Sequence, residues 1–563
     1  MTATLSPSTR QDALATASAG TYDVVVVGGG VTGAGVALDA AARGLSVVLL
    51  EAGDLAVGTS SRSGKTMHGG LRYLEQLNFS LVFGALRERD LTIKTLAPHL
   101  VGHEPFLYPL RHQWEKPYVG SGVGLYDAMA TMSRRTGGAP HARYLGRKAV
   151  LREAPGLDPD VVIAGLQYPD GRMDDARHTL AVARTAAAYG AQVITHARVT
   201  AVRRDGTGRV VGVHAEDTLG GDAVDVSARV VVNAAGVWAA KIQQLAGANT
   251  FTVAPAKGVH LLVRQEAFDS TTGILARAED SVIILRRWYG HWLLGTTDTP
   301  YEGDLRNPTT EPEDIDYLLR NVNTLLRRKI EHADLLGTYA GLRPLLAPAG
   351  PESAKTTSAL SRDHAVIEAP AGMVTIVGGK YTTYRIMARD AVDAAARPLG
   401  RELPPTPTET LPLVGAPGWH VVRNQLPALS ARYGVPEPTL RRMLHRYGDE
   451  LPDVLAPIED DPSLGVPITG TAGYLPVEFL RAVTDEGAFT LDDVLNRRTH
   501  VAIEDPDAGT RAAQEVAGLI APTLGWDATR QKEEVAAYDA QPRLTQILGS
   551  DVAVRRDGNP QTT

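Results

Sequence analysis

Tyr22-Asp23-Val24-Val25-Val26-Val27-Gly28-Gly29-Gly30-Val31-Thr32-Gly33 is the stretch that decides how this chain folds. Asp23 to Val27 is short, β-branched and apolar, as a strand buried on both faces of a parallel sheet must be. Glycines follow at once, and Val31 to Arg43 reads as a helix stopped by Gly44. Ser46 to Leu50 reads as a second strand, so the unit is βαβ. Its turn matches G-x-G-x-x-G. Gly28 permits the tight turn, Gly30 lets backbone approach a pyrophosphate, and Gly33 lets helix and strand pack closely. The helix N-terminus stabilises the phosphate charge. Glu51 ends the second strand, near the ~20-residue spacing at which this unit places a ribose-binding acid. A carboxylate there accepts from a ribose 2′-OH and repels a 2′-phosphate.

The rest of the chain sets limits on what this unit can serve. The 563 residues carry 57 basic and 64 acidic side chains, a net charge of −7. That balance argues against a nucleic-acid binder relying on overall basicity. With 44% hydrophobic and 21% charged residues, the composition is that of a folded chain with several domains. There is no cysteine. A disulfide scaffold, a thiolate zinc site, a Cys-ligated cluster, a Cys nucleophile and a dithiol relay are all excluded. Residues 1–20 lack the apolar run of a signal peptide and read as a flexible tail. No run reaches the ~18 apolar residues of a membrane span. The expected location is cytoplasmic, with attachment to the inner face of the cell membrane left open.

Further along, Leu71 to Leu96 reads as a long helical region and Thr179 to Tyr189 as an Ala-rich helix. Val199 to Val202 and Val210 to Val213 alternate as strands around an Asp205-Gly206 turn. Val230 to Asn233 is a buried strand running into Ala234-Ala235-Gly236. Glu311 to Arg328 reads as a helix with acids early and bases late. Val374 to Val377 forms a strand ahead of Gly378-Gly379, and a helix follows through Arg385 to Ala396. A Pro-rich stretch from Pro398 to Pro412 marks a domain boundary. The expected parts are a unit over 21–400, a helical domain over 401–545 and a tail over 546–563.

A βαβ unit near the start and a late strand-Gly-Gly suit the two-dinucleotide-fold flavoproteins, in which FAD lies extended with its AMP end on the first unit. At this point the residues resemble the FAD-dependent glycerol-3-phosphate dehydrogenases. Val27 to Asp39, continuing to Arg43-Gly44, is similar to that family's first signature. Gly378-Gly379-Lys380-Tyr381-Thr382-Thr383-Tyr384-Arg385 is similar to its second. Between them, in the family's order, stand Thr59-Ser60-Ser61, Lys65, His68-Gly69-Gly70-Leu71-Arg72-Tyr73-Leu74-Glu75, Asp174-Asp175-Ala176-Arg177, Lys257-Gly258-Val259-His260, Gly295-Thr296-Thr297-Asp298 and Gly341-Leu342-Arg343-Pro344-Leu345. The resemblance is looser at Leu491 to Leu495 and Arg497-Arg498-Thr499. It implies an α/β two-dinucleotide-fold FAD-binding domain, an inserted α+β cap or substrate domain, and a C-terminal all-α domain. It implies oxidation of sn-glycerol 3-phosphate to dihydroxyacetone phosphate, with electrons passing to a quinone. A soluble oxidase delivering electrons to oxygen, and a flavoprotein without catalysis, are the alternatives. A homodimer is compatible with this reading.

The reaction needs a held phosphate dianion and a C2 hydroxyl that can lose its proton. Arg72, Arg343 and Lys380 are the cations expected at the phosphate and neighbouring oxygens. Tyr73 either orients substrate or packs. His68 and His260 are the candidate bases, since imidazole is matched to that task near pH 7. Arg343 stabilising the alkoxide is the alternative to a dedicated base. For the cofactor, Gly28, Gly30, Gly33, Glu51, Ser60, Ser61, Gly236, Gly379, Thr382 and Thr383 are expected contacts. Asp174-Asp175 reads as a helix N-cap rather than a metal site, and no metal is expected. Arg111 to Arg135, with Trp114 and Tyr118, reads either as an interfacial membrane anchor or as a buried cap helix. Arg286-Arg287-Trp288-Tyr289 reads as a hairpin at a sheet edge.

Overall fold

The computed structural model describes residues 4–74, 77–133, 141–279, 282–347, 363–505 and 507–541. The expected tail over 546–563 lies outside them.

The valine run forms the strand Thr21–Val27 at the centre of an eight-stranded sheet. It pairs in parallel with Val47–Leu50 on one side and Ala223–Asn233 on the other. Met373–Gly378 continues the sheet in parallel beyond Ala223–Asn233, and Gln192–Ile194 beyond Val47–Leu50. Both faces are covered, which is why the run shows no polar alternation. Val24 and Val26 pack into one core beneath the helices Val31–Ala42, Asp175–Ala188 and Tyr384–Leu399. Val25 and Val27 pack into another, with Ile194, Val213 and Val226.

A second, ten-stranded sheet carries the long antiparallel pair Thr252–Val263 and Leu335–Ala347. Its side chains alternate in purpose along Val282–Trp288. Ile283 and Leu285 enter the core under the helix Pro312–Asn323. Ile284 and Arg286 point the other way and line a cavity between the two sheets. The remaining chain from Trp419 to Asp539 is helical, with two cores of its own. The architecture is α/β, with two sheets and a C-terminal helical domain.

Four expectations need correction. Residues 1–20 are not simply a tail, because Pro7–Ala17 is a helix with a Ser6 capping box and a proline in its first turn. Arg10 pairs with Asp217 at 2.6 Å, and the Leu5 N–H donates to the Asp485 carbonyl at 2.9 Å. Leu71 to Leu96 is broken: a 3-10 turn over Leu71–Leu74, then Phe79–Leu91 capped by Asn78. The helix expected to reach Arg328 ends at Asn323, and Lys329 Nζ donates to the Asn323 and Leu326 carbonyls at 2.7 Å each. The Arg286 hairpin is not at an edge, since Val282–Trp288 pairs on both sides.

Candidate functional site

The glycine turn owes its shape to close backbone approach. Gly28 has φ +112°, and a Cβ there would lie 2.7 Å from the Ala234 carbonyl oxygen. A Cβ on Gly33 would lie 1.8 Å from the Gly28 carbonyl oxygen. Gly33 therefore serves packing and does not face the cavity. Glu51 closes the turn from the facing strand. Its carboxylate accepts from the Gly29 N–H at 2.6 Å and the Gly53 N–H at 2.9 Å. Burial raises its pKa, against the lowering effect of those two bonds. Ser60 Oγ accepts from the Val31 N–H at 2.9 Å, at the start of the helix.

The cavity that begins here has a volume of about 690 Å³, in the range of small-molecule sites. Gly28, Gly30, Glu51 and Ser60 line it at the glycine turn, joined by Gly236. Gly379 and Thr382 line it from the returning strand-Gly-Gly, with the Thr382 hydroxyl donating to the His68 carbonyl at 3.1 Å. His68, Tyr73, His260, Arg343 and Lys380 line it under the second sheet. Twelve sequence-predicted residues thus share one space. Ser61 and Thr383 do not line it. The Ser61 carbonyl holds Lys65 Nζ at 2.9 Å, and Thr383 Oγ donates to the Lys380 carbonyl at 3.2 Å in a turn. The Thr383 bond is a local job for which a hydroxyl residue is suited, whereas the Ser61 bond is made by backbone. The Arg72 side chain lies outside the described residues.

Arg343, Lys380 and Lys65 are each held by neighbouring groups. Arg343 donates to Asp298 at 3.1 Å, to the Thr297 carbonyl at 3.2 Å and to Thr296 Oγ at 3.3 Å. Lys380 Nζ stands 3.5 Å from the centroid of the Tyr73 ring, a close cation–π contact. His260 is buried and stacks on Tyr339 at 5.0 Å with the rings 15° from parallel. Burial, then the positive charges of Arg343, Lys65 and Arg286, push its pKa down to about 3. The imidazole is therefore neutral at pH 7. Lys65 is itself buried, bonded to Asp175 at 2.7 Å, and 5.1 Å from the Tyr339 ring centroid.

Four cavity arginines, Arg62, Arg198, Arg286 and Arg306, have no site role in the sequence analysis. Arg286 pairs with Glu104 at 3.2 Å and donates to the Lys65 carbonyl, while Arg62 donates to the Arg306 carbonyl at 3.0 Å. Period-2 alternation along Val282–Trp288 was the signal available for Arg286. Asp174 caps the helix Asp175–Ala188 by accepting from the Arg177 N–H at 3.1 Å, and also accepts from His500 at 2.7 Å.

The donor set fits an extended dinucleotide. Backbone is laid bare at the glycine turn, an acid stands beside it, and the cationic region lies further along the same cavity. Comparison with known proteins agrees. A family model described as FAD dependent oxidoreductase matches residues 23–385, and one described as the C-terminal domain of alpha-glycerophosphate oxidase matches residues 406–531. Glycerol-3-phosphate dehydrogenase 2 of Mycobacterium tuberculosis is 48% identical over 559 residues, covering 98% of this chain and 94% of that protein. Glycerol-3-phosphate dehydrogenase of Mycobacterium leprae is 48% identical over 94% of this chain and 90% of its own. The crystal structure of the Bacillus halodurans glycerol-3-phosphate dehydrogenase, complexed with FAD, superposes with a TM-score of 0.78 at 27% identity, covering 98% of this chain and 100% of that one. The chain belongs to the glycerol-3-phosphate dehydrogenase family of FAD-dependent oxidoreductases.

Proposed function

We propose that this chain oxidises sn-glycerol 3-phosphate to dihydroxyacetone phosphate. Bound FAD supplies the two-electron acceptor, taking hydride from C2 at flavin N5 and passing the electrons to a quinone. The chain's own residues have three tasks. Gly28, Gly30 and Glu51 hold the adenosine and pyrophosphate. Arg343 and Lys380, with Arg72 and Tyr73 from the neighbouring turn, hold the substrate phosphate and its adjacent oxygens. The C2 hydroxyl gives its proton to His260, with His68 the other imidazole at the cavity wall.

The observation that carries this reading is the juxtaposition of Arg343, Lys380 and a neutral His260 in one cavity with the glycine turn. A histidine with a pKa near 3 is a weak base in the empty site. A dianion bound beside it favours the imidazolium, so substrate binding itself restores basicity. Arg343 also stabilises the negative charge that develops on the C2 oxygen.

A quinone acceptor and a membrane surface go together, and an exposed apolar seam supports the surface. Among the described residues no helix is long and apolar enough to cross a membrane. The helix Glu115–Ser133 instead divides by face. Val123, Tyr126 and Met129 are buried, whereas Tyr118, Leu125 and Met132 are exposed. Exposed Trp114 stands 6.0 Å from Tyr118, and exposed Phe79 and Phe83 lie on the packed helix Phe79–Leu91. The buried face fits the cap-helix reading, and the exposed apolar face supports the interfacial one. The seam suits insertion into the headgroup region of the inner face of the cell membrane.

The deciding experiment is anaerobic. Glycerol 3-phosphate bleaches the flavin absorbance, and a quinone analogue restores it. Peroxide formed in proportion to substrate, with no response to quinone, establishes the oxidase instead. A flavin that substrate does not bleach removes the catalytic reading.

A further inference from the structure

Among the described residues, none that lines the cavity lies beyond Met387. One cluster of contacts from the C-terminal helical domain nevertheless grips a loop of that site. We propose that this domain locks the adenosine end of the cofactor site, through Arg497 and Arg498 gripping the carboxylate of Asp54. The inference rests on the reading of Glu51 and the glycine turn as the adenosine site.

Asp54 lies three residues past Glu51, in the segment that carries Glu51, Ala52, Gly53 and Val57 along the cavity wall. On its inner side that segment is tied to the glycine turn twice. The Gly29 N–H donates to Glu51, and the Ala56 N–H donates to the Gly29 carbonyl at 3.0 Å. On its outer side it is tied to the C-terminal domain. Arg498 donates to Asp54 Oδ1 at 2.6 Å and to Oδ2 at 2.8 Å, and Arg497 Nε donates to Oδ2 at 2.6 Å. The Asp54 side chain is 0% exposed, and the two arginine side chains 1% and 5%. A third tie runs through His196. Its N–H donates to the Gly53 carbonyl at 2.7 Å, and its Nε2 lies 3.0 Å from Asp493.

A carboxylate fully removed from water needs charge-assisted donors, and here the donors come from more than 440 residues away in sequence. Planar guanidinium forks fix its direction as well as its charge. The segment cannot swing outward unless the Arg498 fork and the Arg497 Nε bond both let go. Release of the cofactor requires that segment to loosen, because Glu51 and Gly29 hold each other across the mouth of the turn.

The test is the rate at which full-length holoenzyme, diluted into FAD-free buffer, releases fluorescent flavin. Arg498→Gln speeds release at least tenfold. Arg498→Lys keeps the charge, loses the fork and recovers part of the retention. Arg184→Gln is the control. It breaks a different buried pair between the same two regions, Arg184–Glu450 at 2.6 Å, and stays within twofold of wild type. Arg497→Lys serves as a second variant if Arg498→Gln fails to fold. Wild-type release from the Arg498 variants, or equal acceleration by Arg184→Gln, overturns the lock. Glu51→Gln separates the two readings. If it leaves release unchanged while Arg498→Gln speeds it, the assignment of Glu51 to the adenosine falls, and what stands is a grip of the C-terminal domain on the cofactor at a place other than Glu51. If Glu51→Gln alone speeds release, the lock falls.

Discussion

Arg343→Ala removes the guanidinium on which the proposed substrate site depends. In the structure that group spends bonds on Asp298, Thr297 and Thr296, yet 24% of its side chain stays exposed toward the cavity. Its position is therefore preset before any ligand arrives. A hydrogen bond to a charged group contributes about 1.5–3 kcal/mol. A bidentate grip on a dianion thus contributes about 3–6 kcal/mol. At ~1.4 kcal/mol per decade, kcat/KM falls between about 10² and 10⁴-fold. The folding cost stays modest, because Arg343 is only partly buried; breaking a fully buried pair costs about 3–5 kcal/mol. Arg343→Lys keeps the charge without the fork and falls in between. The assay is anaerobic stopped-flow bleaching of the flavin, with flavin content measured on the same sample. Full flavin content together with kcat/KM within fivefold of wild type refutes the assignment.

Three further outcomes follow from the geometry. Gly33→Ala puts a Cβ 1.8 Å from the Gly28 carbonyl oxygen, where real contacts stay above 3.0 Å. The helix must shift by more than 1 Å, so purified protein carries little flavin; full flavin content contradicts the close-packing argument. His260 has a pKa near 3 in the free enzyme, so its ionisation does not shape kcat/KM between pH 5 and 9. A limb near pH 6–7 that His260→Gln removes would show the imidazole to be far less shielded. His196 responds in the opposite sense. Burial lowers its pKa, but Asp493 more than compensates and the net shift is upward from the ordinary 6.5. Its contribution to stability is complete below about pH 6.5 and is lost as pH rises through the raised value. Thermal stability should decline from neutral to alkaline pH, and His196→Asn should flatten that decline; identical slopes would break the link.

The central strand, its turn and the returning strand-Gly-Gly were legible because burial on both faces leaves a uniform apolar run. Close backbone approach also leaves glycines at fixed spacing. Arg343, Lys380 and His260 were legible only as members of family-like blocks, since an isolated Arg or His carries no such signal. Ser61 and Thr383 do not line the cavity, and a hydroxyl reads the same in sequence whether it faces a ligand or, as at Thr383, closes a turn. Arg286 was placed at a sheet edge because its neighbours are aromatic and basic. Pairing on both sides depends on strands distant in sequence. The helix Pro7–Ala17 hid behind Ser, Thr and Ala, with only Ala13 and Ala17 buried along it. Its partners lie about 200 to 480 residues further on.

Those distances bear on how the chain is made. Ribosomes extend a chain at ~5–20 residues per second, so Arg498 emerges on the order of half a minute to a minute and a half after Gly28. For the first part of that interval Thr21–Val27 has its parallel neighbour Val47–Leu50 but waits for Ala223–Asn233, and for nearly all of it Asp54 waits for its arginines. A nascent apolar strand with one open edge invites mispairing with other chains. The grip on Asp54 is therefore completed late in synthesis, and overproduction that outruns FAD supply should yield aggregates rather than stable apoprotein.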